Sequence, residues 1–179
     1  MNEAAAIALE AGPGAPVVCM LDARAAGLNE LGLRSWARQL PEVAHAAHSS
    51  RSYRHPYALV ACGSQPVGVD LERVEPLDQA FLQSICTPEE RDRVLDGDNA
   101  TIAALWCSKE ALSKALGNPL AYDPRRLGSP IFWPNGSSGP WRATSLSVPS
   151  GYVGWLCWRS TRAPRVNVTI TAARAEDFG

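Results

Sequence analysis

The 179-residue sequence predicts an α+β fold, on three observations. An apolar repeat at helical intervals occupies residues 22–40, and two short apolar runs flank the turn Gly63-Ser64-Gln65-Pro66. Two further helical segments then give way, beyond Asn118, to short alternating segments punctuated by proline, glycine and serine.

Each element follows from its residues. Between Asp22 and Leu40 the residues Ala25, Leu28, Leu31, Leu33, Trp36 and Leu40 recur at helical intervals, with Arg34 and Arg38 at i, i+4. This predicts a helix broken or bent near Gly27 or Gly32 and ended by Pro41. Tyr57–Cys62 and Val67–Glu72, joined by the turn, predict a hairpin. Thr87-Pro88-Glu89-Glu90 is a helix start, with threonine as N-cap, proline at the first position and Glu90 placed to close a capping box. That helix is expected to reach Leu95; Asp96-Gly97-Asp98-Asn99 interrupts it, and a longer helix runs to Leu116 with Gly117 as its stop. Segments 131–133, 142–148, 151–159 and 165–172 alternate like the strands of a meander, and the opening through Pro16 is expected to be loosely ordered.

Composition narrows the function classes. A formal net charge of −1 gives no electrostatic footprint for nucleic acid. The five cysteines are scattered, with no Cys-x-x-Cys spacing, which points to a reducing compartment and away from a zinc site. No apolar stretch reaches the length of a membrane span, and the first twenty residues lack the basic cluster of a secretory signal. The expectation is a cytoplasmic protein with neither membrane nor nucleic acid as partner, folded as one domain or two small lobes sharing a core.

The chemistry concentrates in two segments. In the strand Val67–Glu72, Asp70 and Glu72 project from one face roughly 6 to 7 Å apart, a spacing at which two carboxylates grip one cation. Gly68, on the same face, leaves room for a ligand to approach the backbone, while Val67, Val69 and Leu71 face the core. In the long helix, Ile102, Leu105, Leu112 and Leu116 form a stripe with Lys109 in its middle. An inward ammonium demands a fixed anion, either a carboxylate or a bound phosphate. Trp106, Glu110 and Lys114 flank the stripe at i, i+4, spaced to line one wall of a cleft. Oxygen ligands without clustered His or Cys favour Mg²⁺. The plain alternatives are a solvated strand end for the two carboxylates, an ordinary surface pair for Glu110 and Lys114, and core packing for Trp106.

The pattern Gly68-Val69-Asp70-Leu71-Glu72, followed by Trp106-x-x-Lys109-Glu110-Ala111-x-x-Lys114, resembles the paired signature of the 4'-phosphopantetheinyl transferases, in particular the larger type that activates peptide and polyketide synthases. The resemblance covers residues 67 to 117. It implies two lobes related by approximate symmetry, dividing near residues 76 to 86 into 1–80 and 81–179, with the active site between them. It further implies attack by a carrier-protein serine on the β-phosphate of coenzyme A, giving holo-carrier and 3',5'-bisphosphoadenosine. Asp70, Glu72 and Glu110 would hold magnesium, and Glu110 would accept the serine proton. Lys109 would stabilise phosphate charge or protonate the leaving group, and Lys114 would bind a phosphate of coenzyme A.

Upstream, the family's Ser-His pair, whose histidine contacts the 3'-phosphate, is matched best by Ala47-His48-Ser49; an ungapped alignment places Tyr53 there, and His55 is a third choice. Arg34 resembles an arginine that binds the same phosphate. The chain departs from the pattern in being short before His48 and in lacking a Gly-Lys-Pro-like segment there. The sixty-odd residues before Asp70 argue for the larger, monomeric type over the compact trimeric synthases. An acidic carrier would meet a basic patch, for which Arg51, Arg54, Arg125 and Arg126 are candidates. Two rivals are a non-catalytic relative that docks on carriers, which would lack a metal ligand or catalytic lysine, and a magnesium-dependent nuclease, which would show a basic surface and a Glu-x-Lys strand.

Overall fold

A computed structural model describes residues 7–8, 16–94, 97–118 and 122–160. It is an α+β protein built on two antiparallel four-stranded sheets. The first contains β1 (Ile7–Ala8), β2 (Val17–Asp22), β3 (His48–Arg54) and β4 (Tyr57–Gly63), in the spatial order β1-β2-β4-β3. Helix α1 (Glu30–Gln39) lays Leu33, Trp36 and Ala37 on one face of this sheet, against Cys19, Leu21, Ala58 and Val60, and a single turn, α2 (Pro41–Ala44), follows it. The second sheet has the order β5-β8-β7-β6, made of β5 (Val67–Arg73), β6 (Ser137–Ser138), β7 (Trp141–Leu146) and β8 (Tyr152–Arg159).

The two sheets share a core. Val18, Met20, Leu59 and Ala61 pack against Val67, Val69, Leu71, Leu156 and Trp158. Strand β4 is therefore covered on both faces, which is why it reads as an unbroken apolar run. On the far side of the second sheet lies the long helix α5, reached through α3 (Gln79–Ile85) and α4 (Pro88–Val94) and spanning Asn99–Ala115. Its Ala111, Leu112 and Ala115 pack on Ala143 and Cys157, and its Ile102 and Leu105 on Leu82, Ile85 and Val94.

Three expectations are corrected. Strand β5 does not form a hairpin with β4: it pairs with β8, setting Asp70 opposite Trp155 and Arg73 opposite Tyr152. Strand β4 already has β2 on one side and β3 on the other, so no edge is left for β5. Asp22 ends a strand rather than starting a helix; the chain turns through Gly27, at φ +62°, and Asn29 caps α1 by accepting from Gly32 N at 2.9 Å. Residues 131–133 belong to 3₁₀ turns led by Pro130 and Pro134, whose rings withhold the ladder donors a strand needs. The strand expected at 165–172 and the helix end at Leu95 lie outside the described residues.

Gly68 is where β5 meets α5. A Cβ placed there would stand 1.9 Å from Ala111 O and 2.5 Å from Ala115 N, so the absent side chain makes room for the helix, which corrects the expectation that it makes room for a ligand. Gly68→Ala must push the helix off the strand, with an expected loss of about 3 kcal/mol of stability, read as a lower midpoint in urea unfolding. An unchanged midpoint would mean that the helix does not sit this close.

Candidate active site

The carboxyl half of β3, the middle of β5 and the outer face of α5 converge on one cleft. Arg34, Arg51, Ser52, Tyr53, Arg54, Asp70, Glu72, Trp106, Glu110 and Lys114 line it. Strand β3 was not legible as a strand because its inward residues are Ser50 and Ser52. Ser50 Oγ accepts from Val69 N at 3.0 Å, and Ser52 Oγ donates to Asp70 Oδ1 at 2.8 Å. These hydroxyls stitch the edges of the two sheets together in place of a backbone ladder.

Asp70 is the buried centre of the site. Its Oδ1 accepts from Ser52 and, at 2.6 Å, from Lys114 Nζ, which also donates to Val69 O at 3.1 Å. Its Oδ2 is buried without a hydrogen-bond partner. Glu72, two residues on, is gripped by the Arg54 fork, Nε to Oε2 at 2.8 Å and Nη2 to Oε1 at 2.6 Å, and accepts from Trp106 Nε1 at 3.2 Å. Trp106 therefore orients Glu72 while packing edge-to-face on Phe81. Glu110 accepts from the Tyr122 hydroxyl, a partner the sequence did not signal.

Burial pushes the Glu72 carboxyl above the usual range and the Asp70 charge adds to this, against the lowering effect of Arg54. Burial likewise raises Glu110; the Tyr122 hydrogen bond opposes it, and the Asp70 charge raises it further. Three carboxylates thus face two directly bonded cations, Arg54 and Lys114. An orphaned carboxylate oxygen on Asp70 and an all-oxygen donor set are the features that fit a hard divalent cation at Asp70, Glu72 and Glu110. Among the described residues no three acidic, His or Cys groups are already gathered as a metal cage; Arg54 and Trp106 engage Glu72, and Tyr122 engages Glu110.

Two expected residues are elsewhere. Lys109 is fully buried away from the cleft, donating to Glu90 Oε2 at 2.5 Å, Ile85 O at 2.6 Å and Pro124 O at 2.8 Å. Its inward position does demand a fixed anion, and that anion is the capping-box carboxylate, which also accepts from Thr87 N at 2.9 Å. His48 is exposed at the opposite end of β3, paired with Gly63, and Tyr53 occupies the cleft instead. His55 sits in an adjoining cleft beside Arg73 and Phe81, its Nε2 3.2 Å from Leu28 O. Arg34 does reach the site: its guanidinium lies 4.5 Å over the Tyr53 ring and pairs with Glu30. Arg51 joins it there, whereas Arg125 pairs with Asp123 outside the cleft.

Tyr122→Phe removes the donor that lowers Glu110, so the carboxylate ionises at higher pH. A reaction that needs ionised Glu110 should then lose its acid limb earlier, the limb moving upward in the pH–rate profile, with about a tenfold loss near neutral pH. An unmoved limb would separate Tyr122 from Glu110's function.

Residues 66–142 match the family model described as the 4'-phosphopantetheinyl transferase superfamily. The chain is also 28% identical over 89 residues to the 4'-phosphopantetheinyl transferase psf-1 of Bacillus pumilus, a match spanning 48% of this chain and about a third (36%) of that relative's length. The family-matched segment runs from β5 through α5 into β7 and carries Asp70, Glu72, Trp106, Glu110 and Lys114, while Arg34 and Arg51 to Arg54 lie before it. Both motifs lie inside the segment that is similar to the 4'-phosphopantetheinyl transferase superfamily, and their side chains meet in one cleft.

Proposed function

We propose that this protein transfers the 4'-phosphopantetheine arm of coenzyme A to a serine of an apo acyl- or peptidyl-carrier protein, as a monomer of the larger family type, releasing 3',5'-bisphosphoadenosine. The observation that supports this most is the gathering of Asp70, Glu72, Glu110 and Lys114 in one cleft with Arg34, Arg51 and Tyr53. The serine hydroxyl attacks the β-phosphorus, the bond from that phosphorus to the bridging oxygen breaks, and the serine proton passes to Glu110. Lys114, 20% exposed and bonded to Asp70, is placed to meet a phosphate at the cleft mouth. Arg34 and Arg51, with the Tyr53 ring beside them, offer cations and a stacking face to the nucleotide end. Magnesium held by Asp70, Glu72 and Glu110 would neutralise charge on the pyrophosphate. Lys109 has no part in this reading, because Glu90 and two carbonyls consume its ammonium. Synthesis of polyketides, nonribosomal peptides or fatty acids in the cytoplasm is the setting such a transfer serves.

Chromatography of 3',5'-bisphosphoadenosine tests the reading on the product side. Release that requires an apo carrier, stops with EDTA and returns with Mg²⁺ is expected. Release without any carrier would indicate hydrolysis of coenzyme A instead.

A further inference from the structure

We propose that Arg54 is an internal counter-ion that Glu72 must exchange for the divalent cation, so that Arg54 sets this chain's metal affinity; the inference rests on the metal reading above. The two acidic residues of the strand motif differ in readiness. Asp70 keeps Oδ2 buried and without a hydrogen-bond partner, with Oδ1 committed to Ser52 and Lys114. Glu72 has neither oxygen free of Arg54: Nε binds Oε2 and Nη2 binds Oε1. A dication taken up by Glu72 in that arrangement would lie against a guanidinium, a like-charge contact that disfavours both.

Arg54 is also built to leave. It is the last residue of β3, its side chain is 46% exposed, and among the described residues its only other hydrogen bond is from Nη1 to the carbonyl of its own neighbour, Tyr53. Glu72, by contrast, is 13% exposed and stays oriented by Trp106 when Arg54 departs. Once released, the guanidinium remains at the junction of the two clefts, where a phosphate matches its planar fork. Cation entry at Glu72 and phosphate capture by Arg54 are then two sides of one exchange, and each favours the other.

The test is Mn²⁺ affinity of the full chain, by electron paramagnetic resonance of the free ion, for the unaltered protein, Arg54→Gln, Arg54→Lys and Asp70→Asn, each checked for fold by circular dichroism. Removing the fork should tighten Mn²⁺ binding on the order of tenfold. Arg54→Lys should tighten it as well, by a smaller factor, since it keeps the charge and loses the bidentate grip. Asp70→Asn should abolish binding. Asp70-dependent binding that is equal or weaker in both Arg54 variants would overturn the inference and leave the metal reading standing. Tightening in Arg54→Gln alone would reduce Arg54 to a general field and also overturn it. No Mn²⁺ binding in any variant would overturn the inference together with the metal reading.

Discussion

Lys109→Ala is expected to cost this protein about 3–5 kcal/mol of stability, a large part of the roughly 5–15 kcal/mol a domain of this size possesses. Lys109 is fully buried and gives its three donors to Glu90, Ile85 O and Pro124 O. Glu90 in turn accepts from Thr87 N and, through Oε1, from Ser129 N at 2.5 Å. One ion pair therefore ties the end of α3, the start of α4, the middle of α5 and the 3₁₀ turns that follow. Truncating the lysine leaves a buried carboxylate without its counter-charge and two carbonyls without a donor. Lys109→Met combined with Glu90→Gln, which removes the stranded charge, should recover part of the loss. Thermal and urea unfolding measure this directly. Coenzyme A affinity of the folded fraction should stay within about threefold, whereas Lys114→Ala should lose about tenfold. A Lys109 variant that folds normally but no longer binds coenzyme A would return Lys109 to the cleft.

Glu110→Gln should lower the transfer rate by about 10²–10⁴-fold while leaving the fold intact. Gln keeps the shape and an oxygen for the Tyr122 hydroxyl, and loses only the charge that the proposed reaction would use to accept a proton and hold a cation. Stability should move the other way. Burial raises Glu110 in the folded protein, so the native state binds its proton more tightly than the unfolded chain does. That contribution to stability is present at low pH and is lost as pH rises through the raised folded value, above the ordinary carboxylate range. At neutral pH the ionised side chain therefore costs stability, and Glu110→Gln should unfold at an equal or slightly higher temperature than the parent. Substantial transfer by this variant would remove Glu110 from the chemistry.

The parts of this site that the sequence revealed are those fixed by local periodicity. A two-residue repeat puts Asp70 and Glu72 on one face of β5, and a four-residue repeat puts Trp106, Glu110 and Lys114 on one wall of α5. The same argument turned Lys109 inward. What periodicity could not supply was the partner: Glu90, nineteen residues away, was legible as a capping-box residue but not as the anion for Lys109. A lysine forced inward next to a capping-box glutamate was the available signal. The expectation that His48 would reach the cleft was not met for a related reason, because β3 faces the second sheet with serines and offers no apolar alternation to fix its register. Arg54 and Tyr122 touch the motif carboxylates only through tertiary approach, from a strand end and a loop, and no spacing announces them. The hairpin failed because strand pairing depends on which edges are free, and that is decided by β2, an element the apolar run before Asp22 did not announce as a strand.

The most direct measurement is intact-protein mass spectrometry of apo acyl- and peptidyl-carrier proteins incubated with this protein, coenzyme A and Mg²⁺, beside matched samples with EDTA and with Asp70→Ala. Phosphopantetheine transfer by this protein predicts a gain of one arm on the carrier serine, absent from both matched samples. Coenzyme A binding with no mass gain on any carrier would contradict it in favour of a relative that docks on carriers without transferring anything.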